Sequence, residues 1–207
     1  MDATAPRPIV VAATTNEGKL RELRRLLADT GVEVRSLADV PDAPAVVEDG
    51  ATFAANARKK ALACARHCGL PALADDSGLE VDALGGAPGV RSARYAGEDA
   101  DDAANVAKLL AAMRDVAAPD RRARFRCAIV LALPTGATVL GSCEGRITCE
   151  PRGEGGFGYD PVFLYEPEGK TFAELAPDTK NRVSHRARAL AALQPEVRAL
   201  LAAHVTR

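Results

Sequence analysis

The stretch Leu73–Gly97, LADDSGLEVDALGGAPGVRSARYAG, organises the rest of this 207-residue chain. It opens at two adjacent carboxylates, Asp75 and Asp76, which follow a short apolar run that predicts a strand, Ala72–Ala74. A turn rich in glycine and a closing group of two arginines and a tyrosine come next. Because ligands of α/β sheets gather where strands end, acids, flexible backbone and cations together predict a site for a metal and an anion.

The composition is that of an ordinary globular chain, with 47% hydrophobic residues and a net charge of −1. This charge argues against a general nucleic-acid binder, and no apolar run reaches the ~20 residues of a membrane-spanning helix. The N-terminus lacks a signal-peptide layout, and the five cysteines form no CxxC pair. We therefore expect a cytoplasmic protein that binds neither nucleic acid nor membrane.

The N-terminal residues predict a strand, a polar loop and a helix. Ile9–Ala13 is apolar, and leucines at helical spacing begin at Leu20. The loop between them places hydroxyls, an amide and a lysine at a helix N-terminus, which suits a phosphate. Asn16 is equally explained as a plain helix cap. The loop residues are Thr14, Thr15, Asn16, Glu17, Gly18 and Lys19.

A second strand, Val32–Leu37, and a helix, Thr52–Cys68, are predicted next. On that helix Asn56 and Lys60 lie one turn apart and face the same way. Lys60 is either a solvated charge or a cation directed at the site. Cys64 and Cys68 also lie one turn apart, as incidental thiols or as a redox pair.

The second half predicts a helix, a hairpin and two C-terminal helices. The helix is Asp102–Val116, and the strands Arg124–Leu133 and Ala137–Ile147 flank a turn at 134–136. The arginines before the hairpin are expected to form a solvated face: Arg121, Arg122, Arg124 and Arg126. The C-terminal helices are a long one from Asp178, its cap, to Leu193, and a last one from Pro195 to Ala203.

A glycine-rich loop, Glu154–Pro161, carries two aromatic residues that are able to stack on a flat ring. A short strand, 162–164, follows it. Basic residues crowd the predicted start of the helix from Asp178, where they oppose the helix dipole, and an anionic ligand would explain them. With Asp75, Asp76 and Glu48 as candidate Mg²⁺ ligands, these features together indicate a nucleotide.

Five stretches resemble the inosine triphosphate pyrophosphatase family, in the family's order: TTNEGKLRELRRLL, TFAANARKKA, ALADDSGLEVDALGGAPGVRSARYAGEDA, GGFGYDPVF and SHRARAL. The resemblance implies one two-lobed domain over residues 1–207, an α/β fold with a long twisted mixed sheet flanked by helices, and an active-site cleft between the lobes. It also implies a homodimer that hydrolyses dITP, ITP and XTP to the monophosphate and pyrophosphate with Mg²⁺.

The resemblance further implies residue roles. Asp76 would be the catalytic carboxylate and a metal ligand with Glu48, and Lys60 would assist at the phosphates. The triphosphate would bind at Thr14–Lys19, and Ser77 would touch the substrate. Base and sugar would be held by Phe157, Gly158, Tyr159, Asp160, Lys180, His185 and Arg186.

Two positions depart from the family pattern. Ala55 stands where the family has a glutamate. The residues before Gly50 read Val47-Glu48-Asp49, so that valine replaces the first of the family's paired acids, which leaves open whether Glu48, Asp49 or neither contacts the metal. Three rival interpretations remain: a Maf-type pyrophosphatase acting on other bases, a nucleotide-binding regulator without catalysis, and a redox sensor. The adjacent aspartates favour catalysis, and the FGYD and SHR segments favour purines.

Overall fold

A computed structural model describes residues 7–132 and 138–205. Within this part seven strands form one mixed sheet, in the order β2-β1-β3-β4-β5-β6-β7. The strands are β1 Ile9–Ala12, β2 Glu33–Ser36, β3 Ala72–Val81, β4 Arg122–Ala132, β5 Thr138–Ile147, β6 Phe163–Tyr165 and β7 Lys170–Thr171. β1 is parallel to β2 and β3, whereas β6 is antiparallel to β5 and β7. The predicted α/β class with a mixed sheet is confirmed.

Six α-helices accompany these strands in the described ranges: α1 Glu17–Leu27, α2 Phe53–Cys68, α3 Asp102–Ala112, α4 Pro177–Val183, α5 His185–Ala192 and α6 Gln194–Val205. Short 3-10 turns connect them, at Ala28–Thr30, Leu37–Asp39, Asp82–Leu84, Gly89–Arg94, Ala118–Asp120, Asp160–Val162, Glu166–Glu168 and Phe172–Glu174. The described residues divide into two units. The first comprises 7–76, 128–132, 138–140 and 189–205, and the second comprises 77–127 and 141–188.

The first unit has a core of small aliphatic side chains. Alanines of α2 at 57, 61 and 65 pack against alanines and valines of β1, β3 and β4. The helix begins and ends where the sequence predicts: the Thr52 hydroxyl accepts from Ala55 N, and Gly69 closes it with a left-handed φ of 68°. Small side chains let α2 lie close to the sheet, so that the Lys60 side chain of this helix reaches β3.

The second unit is held by aromatic rings. Phe163 lies 4.6 Å from Phe125 and 4.9 Å from Phe172, measured between ring centroids. Leu79 and Val81, in the second half of β3, are fully buried in the same core. Since large rings bury more surface than the alanines of the first unit, this core gains more hydrophobic stabilisation per side chain.

Strand β3 corrects the prediction that a strand ends at the aspartates. It continues through Asp75 and Asp76 to Val81, because Leu79 and Val81 supply buried apolar side chains beyond the acids. β3 lies between β1 and β4, so both of its edges are paired, and nearly continuous burial along the strand shows that both of its faces are covered. Successive side chains on a strand point to opposite faces, and the two neighbouring carboxylates therefore meet different partners.

The predicted solvated arginine face is also wrong in part. Arg122 is exposed, but Arg121 is buried and donates to four backbone carbonyls. Two of these, Met113 O at 2.6 Å and Val116 O at 3.2 Å, follow the end of α3. The other two are Ile147 O and Thr148 O, each at 2.8 Å. Because α3 ends at Ala112, not Val116, Arg121 satisfies carbonyls that the helix leaves free.

The predicted helix from Asp178 to Leu193 is two helices. Ser184 is extended, with ψ of 159°, and its hydroxyl accepts from Ala187 N as α5 restarts. The first helix, α4, begins at Pro177 with no cap from Asp178. Lys180 therefore lies in the last turn of α4, where the helix dipole favours a cation, so the argument from an opposed dipole fails for Lys180. The predicted hairpin turn at 134–136 lies outside the described residues.

Candidate active site

Lys60 is the centre of a group of charged residues in the first unit. Its ammonium donates to Glu48 Oε2 at 2.9 Å, to Asp76 Oδ1 at 3.2 Å and to the Asp75 backbone carbonyl at 3.0 Å. The Lys60 side chain is 13% exposed, and that of Asp76 is 10% exposed. Lys60 is thus a largely buried cation between two acids, not a solvated charge. We call Lys19, Glu48, Lys60, Asp75 and Asp76 the carboxylate–lysine cluster.

Asp75 completes the cluster on the opposite face of β3. Its fully buried carboxylate binds Lys19 Nζ at 2.7 Å. Lys19 lies in the first turn of α1, which Asn16 caps by accepting from Lys19 N at 2.9 Å. The cap interpretation of Asn16 is therefore confirmed, and the phosphate-binding role of residues 14–19 stays a prediction. Thr14 also belongs to this turn, since its hydroxyl accepts from Asn16 N at 3.1 Å.

The two acids beside Lys60 differ in proton affinity. Burial raises the pKa of Asp76 to about 6, against the opposing effect of the Lys60 and Lys19 ammonium groups. Burial also raises the pKa of Glu48, but there the Lys60 ammonium outweighs it, and the pKa falls below its ordinary value. Burial lowers the pKa of Lys60, yet Asp76 and Glu48 more than compensate, so Lys60 stays charged. Near neutral pH Glu48 is ionised, whereas Asp76 is close to its titration point.

The cluster fits a hard divalent cation. Asp76 Oδ2 is buried and has no hydrogen-bond partner among the described residues, which leaves one carboxylate oxygen for a ligand. Glu48 and Asp76 are themselves close enough for a side-chain hydrogen bond. Mg²⁺ commonly takes one or two protein carboxylates and completes its shell with phosphate oxygens and waters, so two suffice. In the described part of the chain, no group of three or more His, Cys, Asp or Glu side chains is arranged for a metal.

The structure also separates the three residues before Gly50. Glu48 reaches Lys60, whereas the exposed Asp49 pairs with Lys59 on the outer side of α2, and Val47 is 75% exposed. Of the two acids that the sequence left open, Glu48 is therefore the one placed beside Asp76. Its role as a metal ligand stays a prediction.

A second group of polar residues lies in the second unit. Lys180 Nζ donates to Asp160 Oδ2 at 2.5 Å and stands 4.7 Å from the centroid of the Phe157 ring. Asp160 also accepts from Phe157 N at 2.9 Å, which fixes the glycine-rich loop. The Arg186 guanidinium lies 5.7 Å from the same ring and donates to Ser77 Oγ at 3.1 Å. We call Ser77, Phe157, Asp160, Lys180, His185 and Arg186 the aromatic–cation cluster.

The polar side chains of this cluster are buried more deeply than is usual for charged residues. Arg186 is 1% exposed, and Lys180 and His185 are 5% and 4% exposed. The His185 ring is stacked on Phe125, with centroids 4.7 Å apart and planes at 15°. Keeping the Lys180 and Arg186 cations this deep costs desolvation, and the Asp160 carboxylate and the Phe157 ring face help to offset that cost. Such an arrangement suits recognition of an electron-rich flat ligand.

The loop residues are not equivalent. Phe157 is partly exposed beside the cations, but Tyr159 lies in the core with its hydroxyl donating to Ser92 O at 2.9 Å. This favours Phe157 over Tyr159 as a stacking surface. Gly158 N donates to Asp102 at 2.7 Å, a contact that the sequence did not suggest. Phe125 was also missed, although its inward place in the alternating run RARFRC was a usable signal.

The remaining polar candidates have structural partners. Arg91 and Arg94 each lie 3.6 Å from Glu98, measured between the guanidinium nitrogen and the carboxylate oxygen.

Cys64 is buried beside Cys68, and burial together with that neighbour raises the pKa of Cys64 to about 12. A thiol with so high a pKa is a poor nucleophile, which disfavours the redox-sensor interpretation.

An α/β sheet with a carboxylate–lysine cluster and an aromatic–cation cluster is typical of proteins that bind nucleotides. Comparison with known proteins makes the class specific: residues 10–196 match the model of the Ham1 family, and the chain belongs to that family. This confirms the resemblance drawn from the five motifs.

Similar proteins include two bacterial relatives and a solved structure. A protein named dITP/XTP pyrophosphatase from Syntrophobacter fumaroxidans is 61% identical over 91% of this chain and 81% of its own length. One of the same name from Geobacillus kaustophilus is 57% identical over 90% of this chain and 93% of its own length. The structure of a HAM1 protein from Coxiella burnetii aligns with a TM-score of 0.83 at 43% identity, covering 92% of this chain and 98% of that one.

Among residues 7–132 and 138–205, none of the helices has the length and apolar character needed to cross a membrane.

Proposed function

We propose that this protein hydrolyses non-standard purine nucleoside triphosphates, dITP, ITP and XTP, to the monophosphate and pyrophosphate. The activity would remove deaminated purines before they enter DNA or RNA. The observation that carries the proposal is the largely buried Lys60, held between Glu48 and Asp76. The names of the relatives, dITP/XTP pyrophosphatase, support the same substrates.

Pyrophosphate release requires water to attack the α-phosphorus. A bond forms between the water oxygen and phosphorus, and the bond from phosphorus to the bridging oxygen of pyrophosphate breaks. Asp76 orients the water and takes up its proton, a role suited to a carboxylate whose pKa is near 6. Lys60 and Lys19 stabilise the negative charge that grows on the leaving pyrophosphate.

Mg²⁺ would be held by Glu48 and Asp76, with the substrate phosphates as its other ligands. When bound, it neutralises phosphate charge as a Lewis acid and so eases departure of pyrophosphate. The chain supplies the acids already oriented, since Lys60 contacts both of them.

The aromatic–cation cluster would bind the base. Hypoxanthine and xanthine carry an oxygen at C6, which accepts from donors such as Arg186 or His185. Adenine carries an amino group there, and a donor that faces a donor leaves both unpaired, at about 1–3 kcal/mol each. The two unpaired groups together cost about 2–6 kcal/mol, which gives a preference of roughly 30- to 10⁴-fold for dITP over dATP. Phe157 would stack on the base, and the partly buried Ser77 would contact the substrate.

The protein is further proposed to act as a homodimer in the cytoplasm. Resemblance to the family supports the dimer. The free thiols of all five cysteines suit a reducing compartment.

Product analysis tests the proposal. Wild-type protein, dITP and Mg²⁺ in ¹⁸O-labelled water should yield dIMP carrying the label and unlabelled pyrophosphate. Release of dIDP and phosphate would refute attack at the α-phosphorus. Binding of dITP without product formation would instead support a nucleotide-binding regulator. Faster hydrolysis of nucleoside triphosphates with other bases would support a Maf-type enzyme.

A further inference from the structure

The segment that carries Glu48 has no regular structure of its own. Residues 41–50 include neither helix nor strand, and in the described structure none of them is fully buried. Side chains of α2 hold this segment instead. Their contacts are His67 with Pro41 O, Lys60 with Glu48, Lys59 with Asp49, and Asn56 with Gly50 N.

The Asn56 contact differs from the others because it is uncharged and buried. Asn56 is 1% exposed, and its Oδ1 accepts from Gly50 N at 2.7 Å. A side chain at position 50 has no room, since a Cβ there would lie 2.5 Å from Asn56 Oδ1 and 3.0 Å from the Ala55 Cβ. Gly50 is therefore required by the close approach of this amide, and the contact fixes the backbone two residues after Glu48.

The NH₂ group of the Asn56 side chain argues against a role in stability alone. Its Nδ2 is buried and has no hydrogen-bond partner among the described residues, which costs stability. Lys60 lies one turn further along the same face of α2 and holds the Glu48 carboxylate. Consecutive turns thus fix the backbone and the side chain of one short segment.

We propose that Asn56 is a positioning residue that, through Gly50, holds Glu48 beside Asp76 for the divalent cation. The inference rests on the proposed function, and deepens it by naming the residue that sets the cation site. Asn56 acts through the segment and touches neither cation nor substrate in this account.

A double-mutant cycle with Mn²⁺ as the probe tests this directly. Mn²⁺ binding to the wild type, Asn56→Ala, Gly50→Ala and the double variant is followed by calorimetry without nucleotide. Each single variant should weaken Mn²⁺ binding by about tenfold, a typical loss of affinity when a residue that orients a metal ligand is replaced. In the Asn56→Ala background Gly50→Ala should cost less than it does in the wild type, because the clash at 2.5 Å with Asn56 Oδ1 is gone and only the 3.0 Å approach to the Ala55 Cβ remains.

Asn105→Ala is the matched control. Asn105 is also a buried amide, 2% exposed, which holds a loop through Ala96 N and Ala93 O in the second unit. It should lower the melting temperature and leave Mn²⁺ affinity unchanged. If Asn56→Ala does not fold, Gly50→Ala carries the test, with the same tenfold loss expected.

Wild-type-like Mn²⁺ affinity in either folded single variant overturns the proposal, as does a strictly additive cycle or an equal loss in Asn105→Ala. Absence of Mn²⁺ binding by the wild type overturns it too. Hydrolysis of dITP by the wild type is measured separately. If the Mn²⁺ cycle is non-additive but the wild type does not hydrolyse dITP, the proposed function is refuted and the positioning role of Asn56 stands. If the wild type hydrolyses dITP but the cycle is additive, the positioning role is refuted and the proposed function stands.

Discussion

Replacing Asp76 by asparagine should stabilise the metal-free protein while abolishing its activity. Burial raises the pKa of this carboxyl from an ordinary value of 3.8 to about 6, so the fold favours its neutral form. The protonated carboxyl therefore contributes its full stabilisation of the fold below pH 3.8, and this contribution is lost as the pH rises through about 6. The pKa differs by roughly two units between the folded and unfolded protein, and each unit is worth 1.36 kcal/mol, so the wild type has lost about 3 kcal/mol of stability at pH 8.

Asparagine is neutral at every pH and avoids this cost. In EDTA at pH 8 the free energy of unfolding should rise by up to about 3 kcal/mol. For a chain of this size that is roughly 6–12 °C in melting temperature. The difference from the wild type should shrink toward zero near pH 4. Mg²⁺ should stabilise the wild type and leave Asp76→Asn unaffected, because the variant lacks the proposed ligand.

Urea denaturation from pH 4 to pH 8 measures the effect, with Asp75→Asn as the control. Asp75 is the neighbouring residue, but its buried carboxylate is paired with Lys19. Its replacement should destabilise the fold, by about 1–3 kcal/mol. An Asp76→Asn protein that is no more stable than the wild type at pH 8, or a gain that does not vary with pH, would refute the reasoning.

Three further predictions concern other residues. Arg121→Met should lower the free energy of unfolding by about 2–5 kcal/mol in urea, since four buried carbonyls lose their donor; a loss under 1 kcal/mol would contradict this. Arg186→Met should reduce kcat/KM for dITP by about 10–100-fold and that for dATP far less, and equal losses would remove Arg186 from base selection. Cys64→Ala should keep full activity before and after mild peroxide treatment; peroxide-sensitive activity in the wild type alone would revive the redox interpretation.

Local signals predicted the first unit well. The caps of α1 and α2 depend on single residues, Asn16, Thr52 and Gly69, whose preferences follow from backbone geometry. The apolar run of β1 was equally direct. These elements form where the sequence indicates because no distant contact overrides the local preference.

The errors arose where distant partners decide the structure. Acids inside a strand look like its end, and the Lys19 and Lys60 ammonium groups that stabilise them in β3 come from two different helices. Arg121 looked solvated because its partners are backbone carbonyls, which a side-chain pattern does not reveal, and two of the four lie 26 and 27 residues further along the chain. Ser184 caps α5, and serine is a preferred N-cap residue, but this local signal was outweighed by the helical pattern on both sides of it. Likewise, Glu48 could be separated from Asp49 only by seeing which lysine each one reaches.

The most direct test of the central claim is the ratio of kcat/KM for dITP to that for dATP, measured from pyrophosphate release with Mg²⁺. We expect a ratio of about 30 to 10⁴, because two hydrogen-bonding groups are left unpaired in a buried cluster when adenine is bound. XTP should behave like dITP, and ATP should be turned over hardly at all. Equal kcat/KM values for dITP and dATP would contradict the claim.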